Sequence, residues 1–95
     1  RLVVTGSVNR PPMPEAVTRD LLAVAQRLLP GVEGVAVGGG SDGNFTAALG
    51  VPTLDGLGAV GGGAHADHEY VLVDSMVERA RLAAGMVEAI RSARR

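Results

Sequence analysis

The chain has no cysteine, no tryptophan and no lysine, and Phe45 and Tyr70 are the only aromatics among its 95 residues. Without thiols there is neither a disulfide framework nor a thiolate metal centre, and the redox compartment stays open. With so few rings the core must be built from Val, Leu and Ala, which bring less area per residue. A chain of this length buries only about 60–65% of its unfolded surface, so that core is lean. Charge of one sign is also missing: nine basic residues, all arginine, stand against ten acidic ones, for a net charge of −1. That balance leaves no electrostatic footprint for nucleic acid or an anionic membrane surface. No apolar run reaches the ~20 residues that span a bilayer, and the first residues lack the layout of a signal peptide. A cytoplasmic location is the expectation. The first residue is Arg1 and not methionine, so a segment upstream is expected to have been removed or omitted.

What is present is glycine and proline, fourteen and five respectively, clustered between periodic segments, which reads as structured loops and not as disorder. The β-rich run at 2–8 predicts a strand that ends at Asn9-Arg10-Pro11-Pro12, where two prolines without amide hydrogens stop any ladder. Pro14 and Glu15 suit a first helical turn, and Val17, Leu21, Ala25 and Leu28 follow at helical spacing until Pro30-Gly31. Arg19, Asp20 and Arg27 then lie on the outer face of that helix. Residues 32–37 and 51–54 read as strands, and 44–49 as one or two helical turns. The clearest element is a helix over 75–91. Ser75 and Glu78 have capping-box spacing, Met76, Ala80, Ala83, Val87 and Ile90 form an apolar stripe, and Arg91 sits at the end that favours cations. Strands alternating with helices imply an α/β domain with parallel strands flanked by two longer helices.

Two glycine runs carry the chemistry. The first, Gly38-Gly39-Gly40-Ser41-Asp42-Gly43-Asn44-Phe45, follows a predicted strand and opens a short helix, so its backbone amides can converge on an anion. A generic strand-to-helix turn explains these glycines equally well. The run is no dinucleotide fingerprint, and the absence of lysine excludes a P-loop. In the second run, Gly61-Gly62-Gly63-Ala64-His65-Ala66-Asp67-His68-Glu69-Tyr70-Val71, an imidazole beside carboxylates is what a zinc ligand and its orienting neighbours offer. A loop histidine is also commonly a solvated or hydrogen-bonded surface residue. Three glycines in front of it argue for a loop, and a complete zinc site needs three or four protein ligands, more than the segment supplies.

Taken together and in this order, Asn9-Arg10-Pro11, the Gly-Gly-Gly-Ser-Asp-Gly-Asn-Phe loop and the Gly-x-x-x-His-x-x-x-Glu-Tyr-Val stretch resemble the closing third of the two-zinc metallopeptidases of family twenty. These are the glutamate carboxypeptidases, aminoacylases and succinyl-diaminopimelate desuccinylases. The resemblance implies that residues 1–10 are the end of a lid-domain strand and its return to the catalytic domain, and that 11–95 are the C-terminal part of that domain. It implies that His65 is a zinc ligand of a two-zinc centre, that Arg10 binds the free carboxylate of the substrate, and that Ser41 and Gly43 line the substrate loop. The expected substrate is an N-acyl amino acid, a dipeptide or a glutamyl amide, with the glutamate carboxypeptidase branch most similar through Arg10-Pro11 and Glu69-Tyr70-Val71.

The resemblance also implies what lies elsewhere: the first zinc-binding His, the bridging Asp, two acidic ligands, the general-base Glu and most of the lid. No catalytic residue is then expected in this chain, which alone should be inactive, and a homodimer is expected. Two rivals remain open, a non-catalytic binding or assembly module and a small anion-binding domain built on the first glycine loop.

Overall fold

The computed structural model describes residues 1–94. A 3-10 turn over Glu15–Val17 leads into α1 (Arg19–Leu28), a short α2 (Gly43–Ala48), a hairpin of β1 (Gly61–Gly62) and β2 (Tyr70–Val71), and a long α3 (Val73–Ala93). The content is mixed α/β, but the arrangement differs from the expected parallel sheet. The one ladder among the described residues is antiparallel, pairing Gly61 with Val71 and Gly62 with Tyr70.

The strands expected at 2–8, 32–37 and 51–54 do not form among the described residues. A strand exists only through a partner, and here the backbone groups of these segments are engaged elsewhere or left open. Val51 N donates to Thr46 O (3.1 Å), Thr53 N donates to Val17 O (2.9 Å), and Val32 O accepts from Gln26 Nε2 (3.1 Å). Leu2, Val3, Val4 and Val8, on the first of these segments, are all strongly exposed.

The helix expected at 14–29 is split. Val17 O, the acceptor that a continuous α-helix would offer to residue 21, takes the amide of Thr53 instead, and regular α-helix begins only at Arg19. Arg19, Asp20 and Arg27 do face outward. Past its C-cap at Leu29, the chain turns through Pro30 and Gly31 (φ +99°), with Val32 N donating to Leu29 O (3.3 Å).

Helix α3 forms where expected, with two corrections. It starts at Val73, so Ser75 is not a cap and the Ser75–Glu78 box is absent. The Ser75 hydroxyl donates to Leu72 O (2.6 Å) and accepts from Val60 N (2.8 Å), tying the helix start to the segment that enters β1. The buried stripe is also the neighbouring one. Leu82 and Met86 are buried, whereas of the expected stripe Met76, Ala80, Ala83 and Val87 are exposed and Ile90 is half-buried. α3 is apolar around much of its circumference, and α1 covers only one side of it.

The core lies between α1 and α3, where Ala25, Leu82 and Met86 are surrounded by Leu21, Val24, Leu29, Val32, Leu54 and Leu57. Close approach comes from small residues at the crossing. Ala25 is wholly buried, and a Cβ on Gly85 would lie 3.2 Å from Leu28 Cδ1.

Candidate functional site

Two separate clusters hold the residues singled out from the sequence. The first is the glycine loop that enters α2. Asn44 organises it: its Oδ1 accepts from Ser41 N (2.9 Å), its backbone N donates to Ser41 O (3.1 Å), and its Nδ2 donates to Pro11 O (3.0 Å). Gly43 N donates to Ser41 Oγ (3.1 Å), and Phe45 N donates to Asp42 O (3.1 Å). The amides of Ser41, Gly43, Asn44 and Phe45 therefore have protein partners already. That favours the generic turn over a cradle of convergent amides, and α2, at six residues, is too short to add much of a dipole.

The Asn44 bond to Pro11 draws the preceding residue, Arg10, onto the loop. The Arg10 guanidinium carbon lies 4.6 Å from the centroid of the Phe45 ring, over its face. Arg10 Nη1 is 3.9 Å from where a Cβ on Gly40 would stand, so the cation ends beside the glycine run. Among the described residues Arg10 has no carboxylate within salt-bridge distance, the only ion pair being Glu15 with Arg19. Arg10, Ser41 and Gly43 are thus brought together, with a cation available to an anionic ligand.

The second cluster is the turn of the β1–β2 hairpin. Gly61 lies so close to Tyr70 O that no Cβ fits between the two strands. Past β1 the chain reverses through Gly63 (φ +67°) and His65 (φ +66°), the only non-glycine residue with positive φ among those described. Ala66 N donates to Gly63 O (2.8 Å), Glu69 N donates to Ala66 O (3.0 Å), and Glu69 Oε2 accepts from His65 N (3.1 Å). Below the turn, Leu72 N donates to Val60 O (2.8 Å) and Ser75 anchors Val60, so the hairpin is fixed to the start of α3. The His65 ring is exposed at the tip, as the loop reading expects.

Among the described residues no three His, Cys, Asp or Glu side chains are grouped to hold a metal ion. His65 stands in a braced turn with an exposed side chain, and the described residues do not assemble a complete centre. No hydrogen bond or ion pair joins the His65 turn to the Arg10 cluster among the described residues.

Asn44, Phe45 and Ser75 are the residues whose roles sequence reasoning missed. The Ser-Asp-Gly-Asn order is a signal for side-chain-to-backbone turn bonds. Nothing local announces that Asn44 reaches a carbonyl 33 positions away.

The model of peptidase family M20/M25/M40 matches residues 2–89. No curated protein and no solved structure matches the chain.

Proposed function

The chain belongs to peptidase family M20/M25/M40, a match that supports a metallopeptidase or hydrolase kind of function, and we propose that it is a segment of a two-zinc enzyme cleaving an amide bond next to a free carboxylate. Residues 1–10 are the end of a lid segment and 11–95 part of the catalytic domain. The observation that carries this reading is the Arg10 guanidinium, held over Phe45 beside the glycine loop with no carboxylate partner among the described residues. A planar guanidinium offers paired N–H groups that match a carboxylate bidentately.

His65 would hold one zinc through a ring nitrogen, while Glu69 braces the turn from behind by accepting the His65 amide. Zinc bound there would supply Lewis acidity for the amide carbonyl and for activating water. Arg10 fixes the carboxylate end of the substrate, which selects an N-acyl amino acid, a dipeptide or a glutamyl amide. Ser41, whose oxygen already accepts from Gly43 N, keeps its hydroxyl proton for the substrate, and the missing side chain of Gly43 lets the loop pack against Met13 and Thr53. The remaining ligands and the general base come from outside this chain, which by itself is inactive, and the enzyme is a homodimer.

Two variants of the full-length enzyme test the assignment. His65→Ala should lose bound zinc together with most of the turnover. Arg10→Ala should keep its zinc and raise KM by about 10- to 100-fold, the range for losing a charged hydrogen-bond pair of ~1.5–3 kcal/mol. Full zinc content and normal turnover of acyl-amino acid and glutamyl substrates in His65→Ala would show the assignment to be wrong. Inorganic phosphate bound in the glycine loop of a zinc-free protein would favour the anion-binding alternative.

A further inference from the structure

An exposed arginine samples many rotamers, and a carboxylate that captures one must first order it. Arg10 is partly ordered in advance by two neighbours in sequence, Asn44 and Phe45, that act on different parts of it. Asn44 works on the backbone. Its Nδ2 donates to Pro11 O (3.0 Å) while its Oδ1 accepts from Ser41 N (2.9 Å), so one amide group fastens the Arg10–Pro11 segment to the substrate loop. Phe45 works on the side chain, its ring lying under the guanidinium at 4.6 Å. An attraction to the ring face holds the cation without consuming its N–H donors, unlike a carboxylate, which would compete with a ligand. The guanidinium is thereby biased towards one position with its hydrogen-bonding capacity preserved.

We infer that Asn44 and Phe45 are positioning residues that pre-organise Arg10 for a carboxylate ligand. This rests on the reading of Arg10 as the carboxylate-binding group and adds how that group is held. The consequence is selective: losing the ring should weaken capture of a charged carboxylate and leave an uncharged analogue almost unaffected.

The experiment compares, in the full-length enzyme, an N-acyl amino acid with the same compound carrying a carboxamide in place of the carboxylate. Phe45→Leu, which keeps an apolar side chain on α2, should raise KM for the carboxylate about two- to fivefold with little change in kcat. KM for the carboxamide should stay within error, and Phe45→Tyr, which restores a ring face, should return the carboxylate KM to that of the wild type. Asn44→Ala, which also frees Ser41 N, should raise KM for both compounds, and more for the carboxylate. An equal rise in KM for both compounds would overturn the inference, since it marks general loop damage.

Arg10→Ala separates the two levels of the proposal. If Arg10→Ala discriminates carboxylate from carboxamide but Phe45→Leu does not, only the positioning role falls. If Arg10→Ala itself does not discriminate, the carboxylate-binding role falls and the positioning role with it. A second measurement needs no variant: in the wild-type chain, the Arg10 Cδ protons should be displaced upfield by the ring current of Phe45, and random-coil shifts there would also overturn the inference.

Discussion

At His65 the backbone takes φ +66°, a region where a Cβ crowds its own carbonyl and glycine alone sits without cost. The turn keeps histidine there against that preference, and the bond from His65 N to Glu69 Oε2 belongs to the backbone and not to the imidazole. Among the described residues no hydrogen bond joins the imidazole to the turn, so nothing there offsets the backbone cost. His65→Gly should therefore raise the unfolding free energy by about 0.5–1 kcal/mol, read as a higher urea midpoint, while abolishing any metal binding. A lower midpoint would mean that the imidazole itself supports the turn. Two positions earlier the sign reverses. Gly63 has φ +67°, and a Cβ there would stand 2.8 Å from His68 Cδ2, so Gly63→Ala should destabilise by about 1–2 kcal/mol on the same measurement. A neutral Gly63→Ala would show that the turn relaxes freely.

Among the elements, α3 decides how the apolar residues are shared between core and surface. Leu82 is 4% exposed and packs with Ala25 and Met86, whereas Val87 is 66% exposed although it lies on the stripe that spacing favours. Leu82→Ala should cost about 2–4 kcal/mol and Val87→Ala less than about 0.5 kcal/mol, both followed by the helical circular-dichroism signal in urea. Equal losses would place the stripe of Met76, Ala80, Ala83 and Val87 against something in the folded chain. The existence of α2 and α3 was legible because helix signals are local, and so was the loop around His65, because three glycines preclude a helix there. The strands at 32–37 and 51–54 were misread because a strand is made by its partner, and apolar spacing does not say whether a partner is at hand. The buried side of α3 was misread because two of its faces are apolar and only contact with α1 distinguishes them. At the site, the residue types Arg10, Ser41, Gly43 and His65 were readable, but the link from Asn44 to Pro11 and the ring under Arg10 arise from tertiary contact.

For the molecule as a whole, the dimensions are those of a thin slab, 56 × 36 × 17 Å, with a radius of gyration of 16.0 Å. A compact chain of 95 residues would have a radius of gyration of about 12 Å. Its accessible surface, 7592 Å², exceeds by roughly 2,500 Å² what a compact protein of this mass exposes. Much of the excess is apolar: Val3, Val35, Val37, Val73, Met76, Val77 and Val87 all lie open. A standard protein–protein interface buries about 1,600 Å² in total, so the excess is large enough to support one. Open backbone along 2–8 and 33–37 adds hydrogen-bonding groups that seek a partner. The isolated chain is therefore expected to self-associate, sedimenting as a dimer or larger species at about 100 μM, a concentration where even weak apolar interfaces are populated. Met76→Glu together with Val87→Glu, both on the uncovered side of α3, should shift it towards monomer without loss of helix, because neither side chain enters the core between α1 and α3. A stable monomer at that concentration, with a hydrodynamic radius fitting a 12 Å radius of gyration, would mean that the exposed valines close on one another in solution and that the slab is not the shape the chain keeps.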